Sequence, residues 1–146
     1  PFSLTQVPEE KAKPIEQSLE QIFAGKSVLV AEDNPINQRI AMFQLQKMGF
    51  VVDMANDGQE AYEKYLTTTY DLIILDIQMP RMDGYQVARA IRIKELETGD
   101  HVPVLALTAN AMKGDRELYL GAGMDGYVSK PFSYEALIET IGHLLK

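Results

Sequence analysis

The chain has 146 residues, with 14 Lys and Arg against 21 Asp and Glu, a formal charge of −7, and 46% apolar and 24% charged residues. This is the length and composition of one globular domain with a short extension. It contains no cysteine, which excludes disulfides, thiolate metal sites and cysteine nucleophiles. No unbroken apolar run is longer than four residues, too short for a membrane-spanning helix, and the acidic balance argues against a nucleic-acid binder.

Residues 1–25 read as a linker, punctuated by Pro1, Pro8 and Pro14, and lack the basic start and apolar stretch of a signal peptide. Within them Pro14 suits a helix N-terminus, and Ile15, Leu19, Ile22 and Phe23 follow at i, i+4, i+7 and i+8. That spacing predicts a short amphipathic helix ended by Gly25. From Lys26 to Lys146 the pattern alternates. A strand is expected over 27–31. A helix over 35–48 follows, with Asn34 as cap, Pro35 in its first turn and Gly49 at its end. A second strand over 50–55 carries Asp53, which suggests a sheet edge, and a second helix runs over 57–66. Residues 72–75, Leu-Ile-Ile-Leu, form the most hydrophobic strand and belong at the centre of the sheet. Asp83 caps a third helix to about Leu96, a fourth strand covers 102–107, and a weaker helix covers 112–120. Tyr127 and Val128 lie in a short fifth strand, and Ser133 caps a last helix with Leu137, Ile141 and Leu144 on one face. Alternating strands and helices imply an α/β fold, a parallel sheet covered on both faces.

The polar residues that interrupt this pattern fall at one edge. Glu32 and Asp33 follow the first strand, Asp76 the third, Thr108 the fourth and Lys130 the fifth. The carboxyl edge of an open parallel sheet is where ligands bind, at the point where strand order reverses. If strands one and three are neighbours there, Glu32, Asp33 and Asp76 converge. Two carboxylates ~5 Å apart repel by about 3 kcal/mol at an effective dielectric of ~20. Lys130 offsets part of this, and a divalent cation would offset more. An all-oxygen ligand set suits Mg²⁺ or Mn²⁺ rather than zinc. Mg²⁺ also suits phosphoryl chemistry, with Asp76 as a carboxylate nucleophile and Thr108 and Lys130 offering a hydroxyl and an ammonium to the phosphoryl oxygens.

Four segments, in this order and spacing, resemble the receiver domain of two-component response regulators. They are Val28-Leu29-Val30-Ala31-Glu32-Asp33-Asn34, the run from Asp76-Ile77-Gln78-Met79-Pro80 to Asp83-Gly84, Leu107-Thr108-Ala109-Asn110-Ala111, and Tyr127-Val128-Ser129-Lys130-Pro131-Phe132. The resemblance covers residues 26–146 and implies a flavodoxin-like (βα)5 doubly wound sheet in the order 2-1-3-4-5. It makes Asp76 the phosphoacceptor, Asp33 a direct Mg²⁺ ligand, Glu32 an acid reaching the metal through water, and Gln78 the donor of a backbone carbonyl. Thr108 and Lys130 become the phosphoryl-binding pair. Tyr127 becomes the aromatic that swings inward when Thr108 is drawn to the phosphoryl group. Gln78 and Asn110 become residues that tune the acyl phosphate's lifetime, and Lys130-Pro131 a bond often found cis.

Glu32 before Asp33-Asn34-Pro35-Ile36-Asn37-Gln38, where many stand-alone members carry two aspartates, is similar to receivers fused to hybrid sensor histidine kinases. Pro1-Phe2-Ser3-Leu4 resembles the final strand of a kinase ATP-binding domain. The expected donor is a phosphohistidine, on a kinase dimerisation domain or on a histidine-phosphotransfer protein, and the domain is expected to be a cytoplasmic monomer or weak dimer. It would catalyse its own phosphorylation and dephosphorylation rather than turn over a substrate. The alternatives are a receiver standing alone or linked to a transcription factor, and, in other classes, an aspartyl phosphatase or a flavin binder. The phosphatase is disfavoured because Gln78 stands where such enzymes place a second acid. The flavin binder is disfavoured because Glu32 and Asp33 would repel a cradled phosphate.

Overall fold

The computed structural model describes residues 23–79, 81–109, 113–130 and 133–145, with the backbone alone for 113–116. The helix expected before Phe23, Asn110, Met112 and the Lys130-Pro131 bond lie outside the described residues. Five strands, β1 (Ser27–Ala31), β2 (Val51–Ala55), β3 (Leu72–Asp76), β4 (Val104–Thr108) and β5 (Gly126–Ser129), alternate with α1 (Pro35–Lys47), α2 (Gly58–Thr67), α3 (Gly84–Thr98), α4 (Lys113–Gly121) and α5 (Tyr134–Leu144). The strands pair in parallel in the order β2-β1-β3-β4-β5. The chain reverses direction across the sheet between β1 and β3, and β2 is an edge strand as Asp53 implied.

Side chains of successive strand residues point to opposite faces, so each strand feeds two cores. Val28, Val30, Leu72, Ile74, Leu105 and Leu107 pack against Ala41 and Leu45 of α1 and Leu137 and Ile141 of α5. Leu29, Ile73, Leu75, Val104 and Ala106 pack against Ala61 of α2, Val87, Ala88 and Ile91 of α3 and Tyr119 of α4. All five residues of β3 are buried, and each buried Leu or Ile contributes about 1.5–3 kcal/mol relative to exposure. Phe23 joins the first core by stacking on Phe50, with ring centroids 5.0 Å apart.

The caps explain where the helices begin and end. Asn34 Oδ1 accepts from Ile36 N at 2.8 Å and Asn37 N at 3.2 Å. Asp83 and Gln86 form a reciprocal capping box at the start of α3, and Ser133 Oγ accepts from Ala136 N at 3.1 Å. Asp57 proves to be the cap of α2 rather than its first residue, accepting from Glu60 N at 2.8 Å. Gly99, with φ 80°, closes α3 in the left-handed region, so the helix runs to Thr98, two residues beyond its expected end at Leu96.

The fourth strand starts two residues later than expected, for a reason invisible in the pattern. Val102 N donates to Glu95 Oε2 at 2.6 Å, its carbonyl accepts from Arg92 Nη1 at 2.9 Å, and Pro103 has no N–H to offer. Arg92 also pairs with Glu95 Oε1 and Asp125 Oδ2, each at 2.7 Å, clamping the amino ends of β4 and β5. His101 is exposed, and its Nε2 lies 2.9 Å from Asp125 Oδ1.

Candidate functional site

The carboxyl edge of the sheet is built by continuing each ladder one step past its strand. Glu32 N donates to Ala55 O at 3.1 Å, Ile77 N to Leu107 O at 3.0 Å, and Lys130 N to Thr108 O at 2.7 Å. These bonds bring Glu32, Asp76, Thr108 and Lys130 to one rim. The loop after β3 is pinned by Gly84, whose N–H donates to Ile77 O at 3.0 Å. A Cβ on Gly84 would stand 2.6 Å from the Asp76 carbonyl oxygen, so only glycine allows α3 to begin this close to β3.

The rim encloses a cleft of about 540 Å³ lined by Glu32, Asp33, Asp76, Gln78, Thr108 and Lys130, with Asn34, Asn37, Tyr85 and Tyr119 among the remaining walls. One carboxylate oxygen each from Glu32, Asp33 and Asp76 lies within 4.8 Å of the others. Lys130 Nζ sits 2.9 Å from both Glu32 Oε1 and Asp76 Oδ2. Glu32 is fully buried, Asp76 nearly so, and Asp33 is exposed. The Glu32 carboxyl is pushed up from 4.5 to about 7, chiefly by burial and then by the adjoining Asp76, against the pull of Lys130 and of the Asn34 N–H. Burial works against the Lys130 ammonium, but hydrogen bonds to Asp76 and Glu32 outweigh it and raise its pKa. The cleft is thus a concentrated negative site with one cation already drawn in.

The sequence-predicted residues mostly meet here. Gln78 is exposed at the rim and donates its N–H to Asp76 Oδ1 at 3.2 Å. Tyr127 is half-buried and one ring removed from the cleft, its centroid 5.5 Å from that of Tyr119. Asp83 caps α3, accepting from Gln86 N at 2.9 Å.

Sequence reasoning missed two groups. Gln38 Nε2 donates to the Glu32 carbonyl at 2.5 Å and to Asn56 Oδ1 at 2.9 Å, tying the β1 and β2 loops together. Tyr119 is buried, donates its hydroxyl to Thr108 Oγ1 at 2.7 Å and stacks on Tyr85 at 6.0 Å. An aromatic in a weakly patterned helix reads as core, and no signal in the sequence separates it from one.

A fold reversing between β1 and β3, with three carboxylates and a lysine at the reversal, matches a known family. The chain belongs to the response regulator receiver domains, whose family model matches residues 28–142. It is 44% identical over 132 residues to hybrid signal transduction histidine kinase I of Dictyostelium discoideum, covering 87% of this chain and 8% of that protein. The receiver domain of a sensor histidine kinase from Pseudomonas aeruginosa, solved with a magnesium ion coordinated in its active site cleft, superposes with a TM-score of 0.75 at 40% identity, covering 84% of this chain and 98% of that one. A chain from the co-crystal structure of the Saccharomyces cerevisiae histidine phosphotransfer protein Ypd1 with the receiver domain of its downstream response regulator Ssk1 gives a TM-score of 0.74 at 33% identity, covering 80% of this chain and 86% of that one. The protein is therefore a receiver domain of two-component signalling, homologous to the receiver domains of hybrid histidine kinases. No helix among the described residues is long and apolar enough to cross a membrane.

Proposed function

We propose that Asp76 accepts a phosphoryl group from a phosphohistidine and that the product switches the conformation of the domain. The observation that supports this most directly is the Asp76 carboxylate at the end of the central strand, 2.9 Å from the Lys130 ammonium and grouped with Glu32 and Asp33. An Asp76 oxygen attacks phosphorus in line, the P–N bond breaks, and its electron pair returns to the imidazole nitrogen, which takes up a proton from solvent. Lys130 and the Thr108 hydroxyl bind the phosphoryl oxygens as charge shifts onto them. Hydrolysis later returns Asp76 to a free carboxylate and releases phosphate.

Three clustered carboxylates are a hard-oxygen donor set of the kind Mg²⁺ takes, with Mn²⁺ as a substitute. Asp33 and Asp76, the Gln78 backbone carbonyl and Glu32 through water would hold it. Bound there, the ion supplies positive charge beside the transferring phosphoryl group. Thr108 and Tyr127 form the switch, and Gln78 at the rim tunes the lifetime of the phosphorylated state, with Asn110 as its partner in that role.

The receiver unit spans residues 26–146, preceded by a linker over 1–25. The similarity to hybrid kinases and the Glu32-Asp33-Asn34 sequence favour a cytoplasmic receiver of a hybrid sensor histidine kinase. Its donor is then a histidine of that kinase, and a histidine-phosphotransfer protein is the next partner. The test is phosphorylation by acetyl phosphate with Mg²⁺, followed by intact-mass spectrometry. The wild type gains one phosphoryl group and Asp76→Asn gains none; equal labelling of the two defeats the assignment.

A further inference from the structure

We propose that Tyr119 is a positioning residue for phosphoryl transfer, acting through Thr108 as a latch that holds its hydroxyl in the resting orientation. The inference rests on the reading of Thr108 as a phosphoryl ligand and adds a residue to it. Tyr119 comes from α4, is 2% exposed, and still forms part of the cleft wall beside Asp76 and Lys130. Its hydroxyl reaches the buried Thr108 Oγ1 at 2.7 Å.

Strand alternation sets the direction of this contact. Val104 and Ala106 point into the core on the α2, α3 and α4 side, and Thr108 follows them in parity. Leu72 and Ile74 point into the opposite core, and Asp76 follows those. The Thr108 side chain therefore leaves the sheet toward Tyr119, on the face away from Asp76. A phosphoryl group on Asp76 has to draw the hydroxyl back across the edge of the sheet, in competition with the bond to Tyr119.

The ring supplies the second half of the device. Tyr119 stacks on Tyr85, 6.0 Å away at 20°, and meets Tyr127 in a tilted contact, 5.5 Å away at 43°. The Tyr119 ring and hydroxyl thus touch both members of the Thr108–Tyr127 pair at once. Movement of either is felt by α4 through Tyr119. A packed aromatic alone would account for the stacking; it would not make the rate of phosphorylation depend on the phenolic oxygen.

The test is a double-mutant cycle on Tyr119→Phe and Thr108→Ala, with initial rates of phosphorylation by acetyl phosphate and Mg²⁺. Tyr119→Phe keeps the ring and removes the hydrogen bond to Thr108, which predicts phosphorylation faster by about two- to tenfold. Thr108→Ala slows it, and the double variant matches Thr108→Ala alone. An unchanged or slower Tyr119→Phe overturns the latch, as does the same acceleration in the Thr108→Ala background. Loss of cooperative unfolding in Tyr119→Phe also overturns it, because the hydroxyl would then be structural. If Asp76→Asn labels like the wild type, the reading of the whole site falls and the latch with it. If Asp76 is the labelled residue and the cycle shows no coupling, only the role of Tyr119 falls.

Discussion

Replacing Lys130 with methionine removes the one ammonium that the structure places between two clustered carboxylates. Its Nζ is 2.9 Å from Glu32 and from Asp76, and the acidic oxygens lie within 4.8 Å of each other. At 4.8 Å, two full charges in an effective dielectric of ~20 repel by about 3 kcal/mol. Removing one partner of a buried ion pair costs about 3–5 kcal/mol in general. Urea unfolding in EDTA at pH 8 should therefore show the variant less stable by about 3 kcal/mol.

Proton uptake at Glu32 sets the pH of the measurement. The folded state raises this carboxyl from 4.5 to about 7. Folded protein thus binds the proton more tightly than unfolded, a stabilisation complete below 4.5 and lost as pH rises through about 7. With Glu32 protonated there is less repulsion left to uncover, so the loss at pH 6 is smaller than at pH 8. Mg²⁺ should rescue the variant more than it stabilises the wild type, because no ammonium competes for the carboxylates. A ligand at a hundredfold excess over its Kd contributes about 2.7 kcal/mol, enough to restore most of the deficit. A loss under about 1 kcal/mol in EDTA, or equal stabilisation of both proteins by Mg²⁺, refutes the electrostatic account.

Three further substitutions concern the frame that carries the site. Gly58→Ala places a Cβ 1.8 Å from the Met82 carbonyl oxygen, which is backbone and cannot yield, so the α2–α3 contact opens at a cost of about 2 kcal/mol or more. Gly142→Ala meets nothing within 4 Å inside α5 and gains about 0.5–1 kcal/mol, so opposite shifts of the two urea midpoints are the check. Tyr70→Phe removes the 2.5 Å hydrogen bond to Asp53 Oδ2, the main cause that holds this carboxyl below its ordinary 3.8, with Lys64 assisting against burial. The stabilisation from that depressed pKa is present above 3.8 and disappears as pH falls through the folded value. Asp53 is 40% exposed, so the deficit at pH 7 is only a few tenths to about 1 kcal/mol. A deficit that persists undiminished in acid would show that the ring, not the charge-assisted bond, was at work.

The strands and helices were legible because their signals are local. The apolar runs at 27–31 and 72–75 need no partner to be recognised; Asn34, Asp83 and Ser133 announce helix starts through their side-chain oxygens, and Gly49 a helix end through its backbone freedom. The polar residues at strand ends were equally plain, which is how Glu32, Asp33, Asp76, Thr108 and Lys130 were found together. The start of β4 was not legible. It depends on Arg92 and Glu95 of α3 taking the hydrogen bonds of Val102, side-chain contacts across the α3–β4 loop that neither periodicity nor capping signals.

The chain's order of residues thus determined by itself which groups stand at the carboxyl edge, because strand periodicity and capping act within a few residues. Only the tertiary structure decided what those groups do to one another. It buried Glu32 completely while leaving Asp33 exposed, set Lys130 midway between Glu32 and Asp76, and brought Tyr119 onto Thr108. Burial and distance govern each of these effects, and both arise when elements distant in sequence pack. The excess of 21 acids over 14 bases is visible from composition alone; the gathering of three of those acids in one cleft is a property of the folded sheet.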